Sequence, residues 1–388
     1  MIIINDEVKR KYRKIRRRLH RIPELALEET KTQHLLMEEL KELGFEPEPI
    51  GDTTGVTAMI RGAAPGPVIA LRADMDGLPM TEESGLSFAS EIPGHCHACG
   101  HDLHMTMVLL AAQLLLADRK ELRGSVKLIF QPGEEGQKGC RRILQEGILE
   151  NPRVDYIIGA HTMPELDAGR IGVRYGAIMA ASDRMRIRIT GKGGHGAHPQ
   201  DCVDPVMAAV HVIDALQTIV SRELNAADSA IISIGSIHGG STFNVIPSEV
   251  VIEGTIRTLK ETTRSWIRER ILAKAQAAAA IEGAQVQIEF LLGIAPTINT
   301  DALVDLVREA GRESLGEEQV AELVECDMCG EDFAGYLQQI PGVFFRVGTG
   351  NEYPCSRLPL HSSRILFDEE AIFTGAAVMA ETVKRMCR

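Results

Sequence analysis

Apolar residues recur at helical or strand spacing along most of the chain, and their periods divide it into regions. Residues 8–43 carry apolar positions at helical spacing, interrupted at Pro23 and ending at Gly44, which predicts two helices. Short, strongly apolar runs then alternate with an apolar helix candidate at 105–116. Such alternation predicts an α/β fold built on a doubly wound, mixed sheet. Its strand candidates are 56–60, 68–73, 125–130 and 154–160.

The period changes near Arg184, where apolar and charged residues alternate as in a sheet with one face in water. The elements beyond it follow the order β-α-β-β-α-β, which fits a ferredoxin-like α+β domain. After Pro296 the helix and strand alternation of the first region resumes. We therefore predict one domain over 1–181 and 297–388, with a smaller domain over 182–296 inserted into it.

Composition and charge exclude several classes of protein. Of 388 residues 44% are apolar and 25% charged, which is ordinary for a globular chain. The net charge of -12 argues against nucleic-acid binding, and we interpret the basic run at 9–18 as the solvated face of the first helix. Neither a signal peptide nor a membrane span is evident, so a cytoplasmic location is expected. The eight cysteines are too sparse for a disulfide scaffold, and we expect them to be reduced.

Polar residues follow the predicted strands of the first region at their ends. Asp74 and Asp76 follow one strand, Glu134 and Glu135 follow the next, and His161 closes the third. Because ligands of open α/β sheets gather outside the carboxyl ends of the strands, these side chains are expected to converge. From the residues alone, His161 is either a metal ligand or a core histidine, and the two aspartates either orient a ligand or are turn residues.

The segment from His95 to His104 concentrates four imidazoles, two thiols and a carboxylate within ten positions. Side chains of this kind pack poorly in a core and share the ability to bind a transition-type divalent ion. The segment therefore predicts a metal site. Its sequence is His95-Cys96-His97-Ala98-Cys99-Gly100-His101-Asp102-Leu103-His104.

Several motifs, taken together and in this order, resemble the M20 metallopeptidases and within them the amidohydrolase branch. That branch cleaves N-acyl amino acids, hippurate and indoleacetyl-amino acid conjugates, and the resemblance covers nearly the whole chain. The motifs are Leu19-His20-Arg21-Ile22-Pro23-Glu24-Leu25, Arg72-Ala73-Asp74-Met75-Asp76-Gly77-Leu78-Pro79, His97-Ala98-Cys99-Gly100-His101-Asp102, Gln131-Pro132-Gly133-Glu134-Glu135-Gly136, Gly191-Lys192-Gly193-Gly194-His195-Gly196-Ala197-His198-Pro199, Asn244-Val245-Ile246-Pro247, Glu331-Asp332-Phe333 and Leu360-His361-Ser362.

The resemblance implies a site for two divalent ions per subunit, manganese or zinc, with cobalt or nickel also admitted by the donors. It implies that Glu134 is the general base that activates a water, with the neighbouring Glu135 as a ligand; the opposite assignment of the two glutamates stays open. Asp74 and Asp76 are then carboxylates that orient the ligands. The implied ligands are Cys99, His101, Glu135, His161 and His361.

For the inserted domain the resemblance implies a lid that also forms the contact of a homodimer or larger homo-oligomer. His195 is then expected to reach the active site of the partner subunit and stabilise the oxyanion. Asn244 and Arg257 are expected to bind the substrate, the arginine through its free carboxylate. The implied activity is metal-dependent hydrolysis of the amide bond of a small N-acyl amino acid. The alternative within the family is a dipeptidase or carboxypeptidase.

Other classes of protein fit the same residues less well. Cys96-x-x-Cys99 and Cys326-x-x-Cys329 resemble two halves of a structural zinc site, but they lie much farther apart than the roughly 15 to 20 residues of a zinc ribbon. A thioredoxin-like enzyme would carry its Cys-x-x-Cys pair at a helix start in a small βαβ unit. A nucleotide-binding protein is disfavoured because the glycines at 191–194 lack the Walker spacing.

Overall fold

The computed structural model describes residues 4–387, with Leu292 described by its backbone alone. The chain divides into two compact units. The first unit consists of Met1–Ile178, Ile298–Glu325 and Asp332–Arg388, and the second of Met179–Thr297 and Cys326–Glu331. The short segment 326–331 belongs to the second unit because the backbone N–H of Ala180 donates to the carbonyls of Asp327 (2.9 Å) and Cys329 (3.0 Å).

The α-helices and β-strands are numbered here in chain order. The helices are α1 Asp6–His20, α2 Thr30–Glu42, α3 His101–Ala117, α4 Gly139–Gln145, α5 Pro205–Thr218, α6 Glu261–Ile281, α7 Asp301–Leu315, α8 Ala334–Leu337 and α9 Glu370–Met386. The strands are β1 Glu48–Pro49, β2 Val56–Arg61, β3 Ala64–Asp74, β4 Arg123–Gln131, β5 Tyr156–Asp167, β6 Ile171–Val173, β7 Gly176–Met179, β8 Ala181–Thr190, β9 Gly194–His195, β10 Ala230–Gly239, β11 Val245–Ile246, β12 Glu249–Thr258, β13 Gln285–Ile294, β14 Thr297–Asn299, β15 Val320–Glu322 and β16 Gly342–Gly350.

The first unit is built on an eight-stranded sheet in the order β1-β2-β4-β3-β5-β16-β6-β15. Its centre, β4-β3-β5-β16, is parallel, whereas β2 joins β4 and β6 joins β16 in antiparallel fashion. The central strands are apolar and buried, β16 over its whole length, because helices cover the sheet. Helix α3 is almost entirely buried and packs against β3 and α9. The predicted α/β fold with a mixed sheet is thereby confirmed.

Parallel pairing of these central strands brings their carboxyl ends to one edge of the sheet. Strand β3 ends at Asp74, and β4 ends at Gln131, three residues before Glu134. His161 does not end its strand as expected. Strand β5 continues from His161 to Asp167, and β16 still pairs with this later part of β5. The convergence expected from the strand ends therefore holds at the sheet edge, although His161 lies inside a strand.

The second unit is an antiparallel four-stranded sheet in the order β10-β12-β8-β13 with helices α5 and α6 packed together on it. Its element order is β-α-β-β-α-β. Residues of β12 alternate between buried and half-buried positions, since one face meets the helices. Side chains of the helices and of β8 form a core separate from that of the first unit. Strand β10 lies at one edge of this sheet.

The basic side chains of the run at 9–18 are exposed or half-exposed apart from Arg16, and several of them form ion pairs that the charge run did not predict. Lys9 pairs with Glu370 at 2.7 Å, and Arg17 pairs with Glu369 at 2.8 Å. Arg16 is almost fully buried and binds Asp102 at 2.7 Å. These acids lie far along the chain at the start of α9 and of α3, so the sequence pattern of α1 alone could not reveal them. Among the described residues no helix is both long and apolar enough to cross a membrane.

Candidate metal centre

Three turns and one strand place the predicted ligands at the carboxyl edge of the first unit's sheet. Cys99 and His101 flank Gly100, which has a φ of +87° and leads into α3. A Cβ at Gly100 would stand 2.8 Å from Thr162 Cγ2, so both the backbone angle and the space require glycine there. His361 adopts a φ of +66°, and its backbone N–H donates to Ala98 O at 3.0 Å. A left-handed conformation of a non-glycine residue is a strain typical of functional sites.

The donor atoms of the five predicted ligands converge in overlapping groups. Cys99 Sγ lies 3.4 Å from His161 Nε2, and His361 Nε2 lies 3.1 Å from Glu135 Oε1. His101 Nε2 is 4.0 Å from the same Glu135 oxygen. The groups whose donor atoms all lie within 4.8 Å of one another include Cys99-His101-His161, Cys99-Glu135-His361 and His101-Glu134-Glu135. The first two groups share the Cys99 thiol, so their donors would fit two adjacent ions.

His161 presents a lone pair to this cluster. Its Nδ1 lies 2.9 Å from the carbonyl of Thr162, an acceptor, so Nδ1 carries the proton and Nε2 faces Cys99 unprotonated. Burial, followed by the neighbouring His104 and Arg346, holds the pKa of His161 well below its usual range. The ring is therefore neutral at physiological pH, which is the state a metal ligand requires.

His101 shows that the cluster carries surplus negative charge. Neither of its ring nitrogens makes a hydrogen bond of good geometry within the described residues, although Nδ1 lies 3.3 Å from Asp76 Oδ1. Burial lowers the pKa of His101, but the carboxylates of Asp74, Asp76 and Glu135 outweigh burial and raise it to about 10. Without an ion the imidazole has to supply the positive charge itself. A divalent cation would satisfy both the ring nitrogen and the carboxylates.

The Cys99 thiol also indicates that this cluster favours a bound cation. Burial and the nearby carboxylates, Glu135 first, hold the pKa of its thiol well above the usual range. A thiolate at this place is therefore stable only beside a cation. Nitrogen, sulfur and carboxylate donors in overlapping groups, with Cys99, His101 and His161 buried, fit divalent transition-type ions.

Asp76 and Asp74 each hold part of the site in place. Asp76 accepts backbone hydrogen bonds from Glu134 (3.1 Å) and Glu135 (2.9 Å), one on each carboxylate oxygen. Asp74 is fully buried and binds His104 at 2.6 Å and Arg72 at 2.8 Å. Asp76 thus holds the backbone of the two glutamates, and Asp74 holds His104 and Arg72; that the two aspartates orient metal ligands stays a prediction.

Two neighbours of the site were not among the residues selected from the sequence. His104 accepts the backbone N–H of Thr162 at its Nε2 (2.9 Å), so its Nδ1 carries the proton and donates to Asp74. That arrangement removes His104 from the set of free donors. Asp332 binds Arg72 at 3.0 Å, and its backbone N–H points to Glu134 Oε1 at 3.4 Å. The motif Glu331-Asp332-Phe333 contained the signal for Asp332, but it did not indicate a partner.

The second unit holds the other predicted site residues. His195 lies on β9, pairs with Val245 of β11 and is exposed; its Nδ1 accepts the N–H of Ala197 at 3.1 Å. The N–H of Gly196 donates to the carbonyl of Asn244 at 2.9 Å, so the structure brings His195 and Asn244 together.

Arg257 is not near that pair within its unit. It lies toward the end of β12, whose start at Glu249 follows β11, and at about 3.3 Å per residue the strand separates the two places by roughly 25 Å. Its guanidinium donates to Ile256 O at 3.2 Å, and its side chain is half-buried.

The fold and the donor cluster together define a metal-dependent hydrolase. Residues 70–385 match the profile of Peptidase family M20/M25/M40, and the chain belongs to this family, as its motifs predict. The chain is 41% identical to an N-acetyl-L-cysteine deacetylase of Bacillus subtilis, with 96% of this chain and 87% of that protein covered. It is 37% identical to thermostable carboxypeptidase 1 of Saccharolobus solfataricus, with 94% and 93% covered.

A solved structure extends the likeness to three dimensions. The Bacillus subtilis YXEP protein, described as a dinuclear metal binding peptidase from the M20 family, superposes with a TM-score of 0.86. It is 34% identical, and the match covers 99% of each chain. These similarities confirm the predicted enzyme class, a metal-dependent amidohydrolase.

Proposed function

We propose that this enzyme hydrolyses the amide bond of small N-acyl amino acids at two divalent ions held by Cys99, His101, Glu135, His161 and His361. The observation that carries the proposal is the pair of donor groups that share Cys99 and adjoin Glu134. Two bound ions would lower the pKa of a water and polarise the amide carbonyl. Because cysteine is a ligand, zinc is favoured, whereas the nitrogen and oxygen donors also suit manganese, cobalt or nickel.

Glu134 is the general base in this proposal. It is 7% exposed, its backbone is fixed by Asp76, and it is absent from both groups that contain Cys99. Its carboxylate takes a proton from the attacking water and delivers it to the leaving nitrogen as the carbon–nitrogen bond breaks. The products are the carboxylate of the acyl group and a free amino acid.

One relative supports a short acyl group. The deacetylase, by its name, removes an acetyl group from an amino acid, and this supports N-acetyl amino acids as substrates here. The carboxypeptidase at 37% identity favours a second candidate, the removal of a carboxyl-terminal residue from a peptide. Both substrates present an amide next to an amino acid with a free carboxylate, which Arg257 is proposed to bind.

A substrate screen separates the two candidates. The enzyme is stripped of metal, reloaded with zinc, manganese, cobalt or nickel, and offered N-acetyl, N-benzoyl and N-indoleacetyl amino acids beside dipeptides. Release of the free amino acid is followed by chromatography. We expect kcat/KM to be highest for an acyl amino acid. A preference for dipeptides with every metal would overturn the proposed substrate class in favour of a peptidase.

We propose further that residues 182–296 are an inserted lid and that they form the contact of a homodimer. The support is a set of exposed apolar side chains: Val206, Met207 and Val210 of α5 are 43%, 46% and 54% exposed, and Phe243 is fully exposed. Large exposed apolar patches mark interaction sites. The edge strand β10 adds backbone groups that a second copy could pair with.

The oligomeric state tests that surface. Val210→Lys should shift the mass measured by light scattering from dimer to monomer, because it places a charge in the proposed contact. Val324→Lys is the matched control, since Val324 is 88% exposed in the first unit. A monomeric unmodified enzyme would contradict the proposal. The cytoplasmic location stays a prediction, to be checked by cell fractionation.

A further inference from the structure

Glu29 is a buried carboxylate that the proposed mechanism does not use. It is completely shielded from solvent, yet its Oε1 accepts two backbone hydrogen bonds, from Gly133 at 2.8 Å and from Leu27 at 2.9 Å. Its Oε2 accepts the hydroxyl of Thr54. The Gly133 contact reaches 104 residues along the chain and ends one residue before Glu134. Glu29 therefore ties the start of α2 to the loop that carries both glutamates of the site.

The loop 133–135 is held by two carboxylates from different parts of the first unit. Glu29 binds the N–H of Gly133, while Asp76 binds the N–H groups of Glu134 and Glu135. Three consecutive backbone donors are thus fixed. Asp76 alone would hold the two glutamates but would not bind the N–H of the preceding residue, Gly133, whose φ is +68° and whose carbonyl accepts the N–H of Gly139 at 3.1 Å. A loop fixed at both places keeps one orientation for the two side chains.

The segment before α2 also packs against the loop 133–135. Leu27 has a φ of +68°, an uncommon and strained conformation for a bulky residue. Its backbone N–H donates to Glu29 Oε1. Its side chain packs against Gly133, where an added Cβ would lie 2.9 Å from Leu27 Cδ2. Strain at this place persists because the Glu29 carboxylate and the loop hold Leu27 from both sides.

Helix capping does not explain Glu29. It occupies the N-cap position of α2, yet its side chain makes no capping hydrogen bond. Glu24 caps the helix instead, because its carboxylate accepts the backbone N–H groups of Lys31 (2.8 Å) and Thr32 (2.9 Å). Burial raises the pKa of Glu29 to about 7, against its hydroxyl and backbone donors, so the carboxylate is a costly group to keep at this place. Its contacts go to the active-site loop rather than to its own helix.

We propose that Glu29 is a positioning residue that holds the Gly133–Glu135 loop, so that Glu134 faces the attacking water and Glu135 faces the ions. This inference rests on the proposed function for the roles of those two glutamates. The hold itself is independent of the reaction. It is a property of the backbone, which can be measured without substrate and without metal.

Three variants separate positioning from general stabilisation. In Glu29→Gln the amide oxygen still accepts both N–H groups and the amide nitrogen donates to Thr54, so kcat should stay within about threefold of the unmodified enzyme. Glu29→Ala leaves both N–H groups without partners, and kcat should fall about 10- to 100-fold with little change in KM, because displacement of a catalytic group by about 1 Å costs that much. Glu24→Ala, the matched control, should lower the melting temperature and leave kcat within about threefold.

Hydrogen exchange on the metal-free protein provides the second readout. Glu29→Ala should accelerate amide exchange in a peptide covering 131–137, while Glu24→Ala should accelerate it only in the first turn of α2. Should Glu29→Ala not fold, Thr54→Val removes one support of the carboxylate and should accelerate the same peptide to a smaller degree.

The outcomes remain distinguishable. Unchanged exchange at 131–137 in Glu29→Ala, or in Thr54→Val if the first variant does not fold, would overturn the proposal. So would a loss of kcat in Glu24→Ala as large as in Glu29→Ala. Failure to cleave any N-acyl amino acid would refute the proposed function but would leave the exchange result interpretable.

Discussion

The two units of this enzyme hold their predicted site residues in opposite ways. In the first unit Cys99, His101 and His161 are buried, whereas Glu135 is half-buried and His361 is exposed. Neighbouring groups hold several of these side chains, as Asp76 binds the backbone N–H groups of the two glutamates and the Thr162 carbonyl binds His161. In the second unit His195 and Asn244 are exposed on a short two-stranded ribbon. A site that binds ions needs donors fixed in advance, whereas a residue that meets substrate only after closure or assembly can remain in solvent until then.

The two units also differ in where some of their charged side chains lie. The first unit buries Asp74 fully beside His101, His104 and Arg72, where burial makes each charge depend on its neighbours. The second unit pairs its charges at the surface, as Glu253 does with Arg184 and Arg186. Surface pairs contribute little to stability. Substitutions in the buried cluster should therefore have much larger consequences than those in the second unit, and the four predictions below test this order.

Loss of metal should have the largest effect. His101→Ala removes a donor that both a thiol-containing and a carboxylate-containing group use, so the variant should lose bound metal and all measurable hydrolysis. Metal content is measured by mass spectrometry after dialysis against a chelator at a fixed concentration. His238→Ala, an exposed histidine of β10, is the control and should keep both. Full activity in metal-free His101→Ala would refute the metal centre.

Removal of the base should come next. Glu134→Ala should lower kcat about 100- to 10,000-fold, the usual range for a general acid–base group, while metal content stays nearly unchanged. Glu135→Ala should lose metal as well, because Glu135 is the proposed ligand of the pair. If the two variants exchanged these properties, the assignment of the adjacent glutamates would be reversed.

A smaller loss is expected in the second unit. His195→Ala should lower kcat about 100- to 1,000-fold, as removal of an oxyanion donor does, without loss of metal. If His195 acts in the partner's site, mixing and reassociating Glu134→Ala and His195→Ala chains should restore about a quarter of the unmodified activity, since half of the dimers then contain one complete site. Mixtures as inactive as their parents would place His195 in its own subunit's site, whereas full activity of His195→Ala alone would place it outside the reaction.

The smallest effect concerns stability against pH. The folded-state pKa of Glu29 is raised by burial from 4.5 to about 7, so its protonated form is favoured in the native protein. The contribution of Glu29 to the free energy of unfolding is therefore fully present below pH 4.5 and is lost as pH rises through about 7, by at most about 3 kcal/mol. In Glu29→Gln the melting temperature should depend less on pH between pH 5 and 8 than in the unmodified protein without metal.

Glu223 of the second unit is the matched surface control for that measurement. Hydrogen bonds from Arg270 and Lys274 lower its pKa to about 2, below the pH range examined. Glu223→Gln should therefore leave the pH profile of the melting temperature unchanged between pH 5 and 8. Equal profiles for both variants would remove the contrast between buried and surface carboxylates.

Most of the regular elements were predictable because their periods are local. The apolar run 125–130 became the buried core of β4, and 105–116 became the greater part of α3. The short strands β6 and β15 were not predicted, since three residues carry no measurable period. The ion pairs of α1 and the burial of Arg16 were missed for a different reason. Their partners Glu369 and Glu370 lie more than 350 positions away, and only packing of the helices brings them within reach.

By itself the sequence determined the types of donor, the order of the elements and the family, because these depend on residue identity and short-range spacing. Only the tertiary structure decided that Cys99 belongs to two donor groups, that His104 serves Asp74 instead of an ion, and that Glu29 supports the loop before Glu134. Each of those contacts joins segments separated by at least thirty residues of chain. Their geometry depends on how strands and helices pack, which no local pattern of residues encodes.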